Sequence, residues 1–140
     1  MSEENKRVVE QFIQALFTRG ELTAVDDYLA ADFVDHNPTI PGRPGDREGM
    51  RSASQMFRAA FPDWHSRIDD LLADGDKVIE RFTAGGTHQG PLMNIEPTGR
   101  TVSLSGINIF RVQDGAIVER WGILDQLALM QQIEAPSSPS

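Results

Sequence analysis

The 140-residue sequence contains no cysteine, one tyrosine and only three histidines. Without cysteine there can be no disulfide, no thiol nucleophile and no cysteine-ligated zinc. The three histidines are scattered and lack the His-Glu-x-x-His spacing of a zinc helix, so we expect no metal site.

Basic residues are also scarce, with 13 Lys and Arg against 21 Asp and Glu, which gives a net charge of −8. This balance argues against nucleic-acid binding, because that affinity depends on cations that neutralise phosphates. No apolar run approaches the ~18 residues of a membrane span, and the start Ser2-Glu3-Glu4 is unlike a signal segment. We therefore expect a cytoplasmic protein with no nucleic-acid or membrane partner.

Hydrophobic residues make up 39% of the chain and are spread along it. A chain of this size buries about 68% of its unfolded surface, which is enough for one self-sufficient domain. We assign residues 1–135 to a single domain and expect the Pro- and Ser-rich residues 136–140 to be a disordered tail.

Apolar residues recur at helical spacing in the first part of the chain and alternate with period two in the second part. Turn signals at Asp74-Gly75, Thr98-Gly99 and Asp114-Gly115 separate the alternating segments. The predicted helices span 3–18, 22–29, 46–60 and 126–133, and Asp125 caps the last of them. A short extended segment spans 33–38. The predicted strands span 64–72, 77–87, 100–112 and 116–123. Helices followed by an antiparallel sheet predict an α+β domain with the helices on one face of the sheet.

The third predicted strand has apolar and polar residues on both faces. Val102, Leu104, Asn108 and Phe110 share one side, whereas Ile107 lies on the other. We expect the helix-covered face to line a cavity and the other face to pack on a second subunit.

Five short segments follow one another along the chain: Asp35-His36-Asn37-Pro38, Phe61-Pro62-Asp63-Trp64, Gly86-Thr87-His88-Gln89-Gly90, Ile95-Glu96-Pro97-Thr98-Gly99 and Val118-Glu119-Arg120-Trp121. In order and spacing they resemble segments of SnoaL-like polyketide cyclases in the NTF2-like superfamily. The resemblance implies a cone in which a curved antiparallel sheet wraps around three N-terminal helices and encloses an apolar pocket. It also implies a homodimer formed through the outer sheet face.

The resemblance implies a cofactor-independent aldol-type ring closure, or a related lyase or isomerase reaction, on a small polyketide-like or terpenoid-like substrate. Such a reaction removes an acidic C–H proton, holds the enolate and protonates the new alkoxide. In the cyclases the acid–base aspartate ends a Glu-His-Trp-Asp-like run, which here reads Glu119-Arg120-Trp121-Gly122. The aspartate position is therefore Gly122 and the histidine position Arg120, and a pocket histidine of the preceding strand corresponds to Asn108.

Because Gly122 cannot carry a proton, other groups are candidates for catalysis. His36 is a candidate base or a buried anchor, and Asp125 is a candidate acid or only a helix cap. Arg120 either pairs with a pocket acid such as Asp125 or polarises a substrate carbonyl. In the catalytic interpretation His36 or Asp125 moves the proton, while Arg120 with Asn108 holds the oxyanion.

The predicted substrate-binding residues combine aromatic and polar side chains. They are Phe12, Tyr28, Trp64, His88, Asn108 and Gly122. The aromatic members are alternatively core residues, and His88 is alternatively a loop anchor.

Two further functions stay open at this stage. One is a non-catalytic protein that binds a small molecule. The other is an epoxide-hydrolase-like enzyme, which needs an Asp-Arg-Asp set of side chains around a water molecule. Arg120 and Asp125 would supply two members of that set. A titratable group with a raised pKa directed into the cavity would favour an enzyme. Arg120 paired with Asp125 in an otherwise apolar cavity would favour binding.

Overall fold

A computed structural model describes residues 2–39, 42, 45–92 and 94–134. The predicted tail, residues 136–140, lies outside this range. The helices are α1 (Ser2–Ile13), α2 (Ala24–Tyr28), α3 (Arg47–Ala60) and α4 (Gln126–Glu134). A π-helical turn, Gln14–Thr18, continues α1 and is called the π turn below.

Five strands form one sheet in the order β1-β5-β4-β3-β2. The strands are β1 (Leu29–Asp35), β2 (His65–Asp74), β3 (Lys77–Thr87), β4 (Thr101–Gln113) and β5 (Ala116–Leu124). β1 runs parallel to β5, and the other neighbours are antiparallel. The α+β class and the curved sheet with three N-terminal helices are confirmed.

Local sequence explains most element boundaries. The Asp46 carboxylate accepts a hydrogen bond from the Gly49 N–H and so caps α3. The β4–β5 hairpin turns at Asp114 and Gly115, which both have positive φ as its tight turn requires. β1 begins at Leu29, earlier than the predicted extended piece, because Leu29 pairs with Ile117 of β5.

The inner face of the sheet packs on the helices through two hydrophobic clusters. The first joins α1, α2 and β1 to residues such as Phe110. The second joins the end of α3 and α4 to residues such as Phe82 and Leu104. Alternate residues of β4 are buried from Val102 to Val112, which confirms that this side of the strand faces the helices.

The outer face of the sheet carries exposed apolar side chains. Ile107 and Ile123 are 49% and 75% exposed, and Leu127 beside them on α4 is 69% exposed. In the described part of the chain, none of the helices is long and apolar enough to cross a membrane.

Candidate functional site

A cavity lies between the inner face of the sheet and α1, the π turn and α3. The cavity volume is about 60 Å³, within about 580 Å³ of empty space that includes the opening to solvent. Most of the wall is apolar or aromatic, including Phe17, Phe57 and Trp64, and its charged members are Glu80 and Arg120. The complete lining is Ile13, Phe17, Thr39, Met50, Ala53, Phe57, Trp64, Ser66, Glu80, Phe82, Ala84, Asn108, Phe110, Arg120 and Leu124.

Arg120 and Asp35 form a buried ion pair at one side of the cavity. The two residues are register partners on the parallel strands β5 and β1. Arg120 Nη1 donates to Asp35 Oδ1 at 2.9 Å and to Oδ2 at 3.0 Å, and it also contacts the Asn37 carbonyl oxygen at 3.0 Å. The Arg120 side chain is therefore held by three acceptors and directed at the end of β1.

Asn108 connects this ion pair to a second carboxyl group. Arg120 Nε donates to Asn108 Oδ1 at 3.0 Å, and Asn108 Nδ2 donates to Glu80 Oε1 at 2.8 Å. Glu80 pairs in register with Asn108, and Asn108 pairs with Gly122, so the three share one cross-strand row on β3, β4 and β5. We call the chain Asp35–Arg120–Asn108–Glu80 the polar relay.

Glu80 is fully buried at the end of the polar relay. Its Oε2 has no hydrogen-bond partner among the described residues. Burial raises the pKa of Glu80 to about 7, against the opposing influence of the Asn108 hydrogen bond and the Arg120 charge. A cavity carboxyl with this pKa exchanges protons near neutral pH.

Arg120 pairs with an acid, as one of the two alternatives predicted, but that acid is Asp35 and not Asp125, the residue named from the sequence. Arg120 points inward and meets Asp35, because both lie on the inner face of adjacent strands. Asp125 follows the end of β5, is exposed, and accepts a hydrogen bond from the Ala128 N–H at 3.0 Å. The Asp125 carboxylate therefore caps α4 and does not line the cavity.

His36 also lies outside the cavity, although it neighbours Asp35. Successive residues of an extended segment point to opposite sides, so burial of Asp35 directs His36 outward. The His36 ring stacks on Trp121 with centroids 4.8 Å apart, and its Nε2 lies 2.8 Å from Glu119 Oε2. Hydrogen bonds from His36 and Arg111 hold the pKa of Glu119 below its ordinary value.

Gly122 adjoins the polar relay without lining the cavity itself. A Cβ added to Gly122 would overlap Asn108 Oδ1 and Arg120 Nη2. The relay thus fills the space that a side chain at this position would enter. On its other side Gly122 faces a surface groove with Asn37, Thr39 and Arg120 among its walls.

The other predicted binding residues divide between cavity and core. Trp64 and Asn108 line the cavity. Phe12 is fully buried in the first hydrophobic cluster, with Tyr28 packed against it, and neither lines the cavity. His88 is fully buried against Phe61, and its Nδ1 lies 3.0 Å from Thr98 Oγ1, so it anchors the loop before β4.

Glu80 is the site residue that the sequence interpretation missed. A signal was present, because Glu80 alternates in phase with Val78, Phe82 and Ala84, all of which are buried. A carboxylate inside an apolar strand face marks a functional candidate. Among the described residues, no group of three or more His, Asp or Glu side chains is arranged to hold a metal ion.

Comparison with known proteins agrees with this architecture. The sequence model of one family, described as SnoaL-like polyketide cyclase, matches residues 7–133. The chain belongs to the SnoaL-like polyketide cyclase family. The match begins within α1, spans α2, α3 and the whole sheet, and ends one residue before the end of α4.

Individual SnoaL-like proteins resemble the chain at moderate identity. Aklanonic acid methyl ester cyclase DnrD of Streptomyces peucetius is 27% identical over 111 residues, which cover 79% of this chain and 74% of DnrD. TsrD of Streptomyces laurentii has a solved structure with a TM-score of 0.84 and 30% identity, covering 96% of this chain and 98% of TsrD. IdmH of Streptomyces antibioticus has a solved structure with a TM-score of 0.82 and 34% identity, covering 94% of this chain and 99% of the IdmH chain.

Proposed function

We propose that this SnoaL-like protein is a cyclase that closes a ring by an aldol-type reaction in a small polyketide-like substrate, with Glu80 as the proton-transfer group. The observation that carries the proposal is the Glu80 carboxyl in the cavity, with Oε2 free of partners among the described residues and a pKa of about 7. The aromatic wall suits an apolar ring precursor. The cyclase name of DnrD supports the same reaction class.

In the first step the Glu80 carboxylate removes a proton from a carbon beside substrate carbonyls, and the electron pair passes into an enolate. The enolate carbon then forms a bond to a second carbonyl carbon of the same molecule, which leaves an alkoxide. Glu80 returns the proton to this alkoxide through the same oxygen, Oε2. Atoms and electrons balance within the substrate, so we propose that no cofactor takes part.

Arg120 is the proposed donor to the developing oxyanion. Its Nη1 and Nε are occupied by Asp35, Asn37 and Asn108, whereas Nη2 has no acceptor among the described residues. A fixed N–H group costs little reorganisation when charge develops on a nearby oxygen. Both polar ends of Asn108 are already engaged, so in this proposal Asn108 holds Arg120 and Glu80 and does not touch the oxyanion.

The Glu80→Gln variant tests the function because it removes the titratable proton and keeps the side-chain size. We expect it to lower turnover about 100-fold or more, the usual contribution of a general acid–base group. The measurement uses aklanonic acid methyl ester and smaller β-dicarbonyl ketones, with ring closure followed by mass spectrometry and C–H exchange into deuterated water by NMR. Exchange of the C–H hydrogen for deuterium reports the removal of that proton by the protein, even for a compound that cannot form a ring.

The matched control is Glu10→Gln, which alters an exposed glutamate on α1. Glu10→Gln should retain full activity. Equal activity of Glu80→Gln and wild type would refute the role of Glu80. Tight binding of these compounds by the wild type without exchange or closure would instead favour a binding protein.

We also propose that the protein is a homodimer joined through the outer sheet face. Ile107, Ile123 and Leu127 are exposed and line one surface groove together with Trp121. Exposed apolar patches on a sheet face commonly mark protein interfaces.

A further inference from the structure

We infer that Asp35 is a positioning residue for Glu80: it anchors Arg120, which orients Asn108 toward Glu80 Oε1 and leaves Oε2 free to exchange a proton, and it offsets the Arg120 charge near that carboxyl. The inference rests on the proposed function, because it concerns the group assigned there to proton transfer. Asp35 itself is absent from the cavity wall and is joined to Glu80 only through the polar relay.

Each hydrogen bond of the polar relay has only one allowed direction. A guanidinium only donates, so the atom of Asn108 that meets Arg120 Nε must be the amide oxygen. The amide nitrogen of Asn108 must then face Glu80, where it donates to Oε1. Oε1 is thereby engaged as an acceptor, and a proton bound by Glu80 resides on Oε2.

Asp35 fixes the start of this sequence of bonds. Both of its oxygens accept from Arg120 Nη1, and Oδ1 also accepts from the Asn37 N–H at 3.0 Å. The carboxylate side chain is only 5% exposed. If the carboxylate is replaced by an amide of the same shape, the amide oxygen can still accept from Arg120 Nη1, so the polar relay keeps its direction. The positive charge of Arg120 then acts on Glu80 without compensation.

Few charged side chains among the described residues act on Glu80. Arg120 stabilises the Glu80 carboxylate, and Asp69 on β2 opposes it. The described cavity-lining residues of α1, the π turn, α3 and β2 carry no ionisable side chain. A change at Asp35 should therefore reach Glu80 through Arg120 and Asn108.

The test is an NMR titration of the Glu80 carboxyl carbon in the full-length protein labelled with δ-¹³C glutamate, with the signal assigned by its loss in Glu80→Gln. Asp35→Asn keeps the side-chain shape and removes the charge. We expect its Glu80 titration midpoint to fall by about one pH unit, because an uncompensated guanidinium favours the carboxylate. An unchanged or higher midpoint would overturn the inference.

Asn108→Leu interrupts the polar relay at its centre and keeps the test informative if Asp35→Asn does not fold. We expect it to raise the Glu80 midpoint, since the carboxylate loses the hydrogen bond to Oε1; an unchanged midpoint would also overturn the inference. Asp26→Asn is the matched control, because Asp26 pairs with Arg51 on the surface and should leave the midpoint unchanged. The titration needs no substrate, so its result is independent of whether Glu80→Gln abolishes turnover.

Discussion

At the residue scale, Glu80 makes the stability of the fold depend on pH. Its native pKa of about 7 lies above the ordinary value of 4.5, so the native state holds this proton more tightly than the unfolded chain. The stabilisation is complete below about pH 4.5 and is lost as pH rises through 7. The free energy of unfolding is therefore highest when the buried Glu80 carboxyl is neutral.

Glu80→Gln should remove this pH dependence, because glutamine stays neutral. Between pH 5 and pH 8 we expect the unfolding free energy of the wild type to fall by about 2–3 kcal/mol relative to Glu80→Gln. Urea denaturation of both proteins at a series of pH values measures the difference. Parallel curves for the two proteins would show that Glu80 has an ordinary pKa in the folded state.

The neighbours Asp35 and His36 show what residue-level reasoning could and could not reach. Sequence alternation established that they point to opposite sides, but not which of them points inward. That choice depends on the pairing of Asp35 with Arg120, two residues 85 positions apart. Asn108 and Arg120 were predicted as site residues. The alternation of Glu80 with apolar residues of β3 was visible in the sequence, but its contact with Asn108 depends on strand pairing that the sequence does not show.

At the element scale, the row formed by Glu80, Asn108 and Gly122 ties three strands to the site. Gly122→Ala should disturb this row, because the new Cβ overlaps Asn108 Oδ1 and Arg120 Nη2. Both overlapped atoms are held by hydrogen bonds or packing and cannot withdraw freely. We expect a loss of about 1–3 kcal/mol, typical of overpacking in a well-packed interior.

Thermal unfolding of Gly122→Ala measures this loss, and the Glu80 NMR midpoint shows whether the polar relay has shifted. Wild-type stability together with a wild-type midpoint would mean that the space beside Gly122 is larger than the structure shows.

Element boundaries were predictable where a local signal exists. Glycine-containing turns set the ends of β3, β4 and β5 to within a residue or two, and the Asp46 cap sets the start of α3. β1 was harder to predict, because a parallel edge strand depends on its partner and has no hairpin turn to mark it. The π turn likewise leaves no distinct pattern of apolar spacing.

At the scale of the whole molecule, the proposed homodimer depends on the outer sheet face. Ile123→Asp places a charge in the centre of the proposed interface and should convert a dimer into a monomer, because an unpaired buried charge is costly. Light scattering coupled to size-exclusion chromatography gives the mass directly. Leu72→Asp is the control, since Leu72 is 62% exposed on β2 and lies outside the Ile107–Ile123 surface.

A monomeric mass for the wild type, or an unaltered dimer for Ile123→Asp, would contradict this interface. The residues of the polar relay lie on the inner face of the sheet, so loss of the dimer alone should leave the relay in place.

The π turn at Gln14–Thr18 has a consequence for how this protein can change in length. It places Phe17 in the cavity wall, where the ring also packs against both hydrophobic clusters. A π-helical turn holds one residue more than an α-helical turn, and each residue of an α-helix advances the direction of the side chains by about 100°. Deleting one residue here would convert the π turn into an α-helical turn, so α1 would keep Val9 and Phe12 directed at the core. A single-residue deletion at this position would therefore leave the packing of α1 in place and change the cavity wall at Phe17.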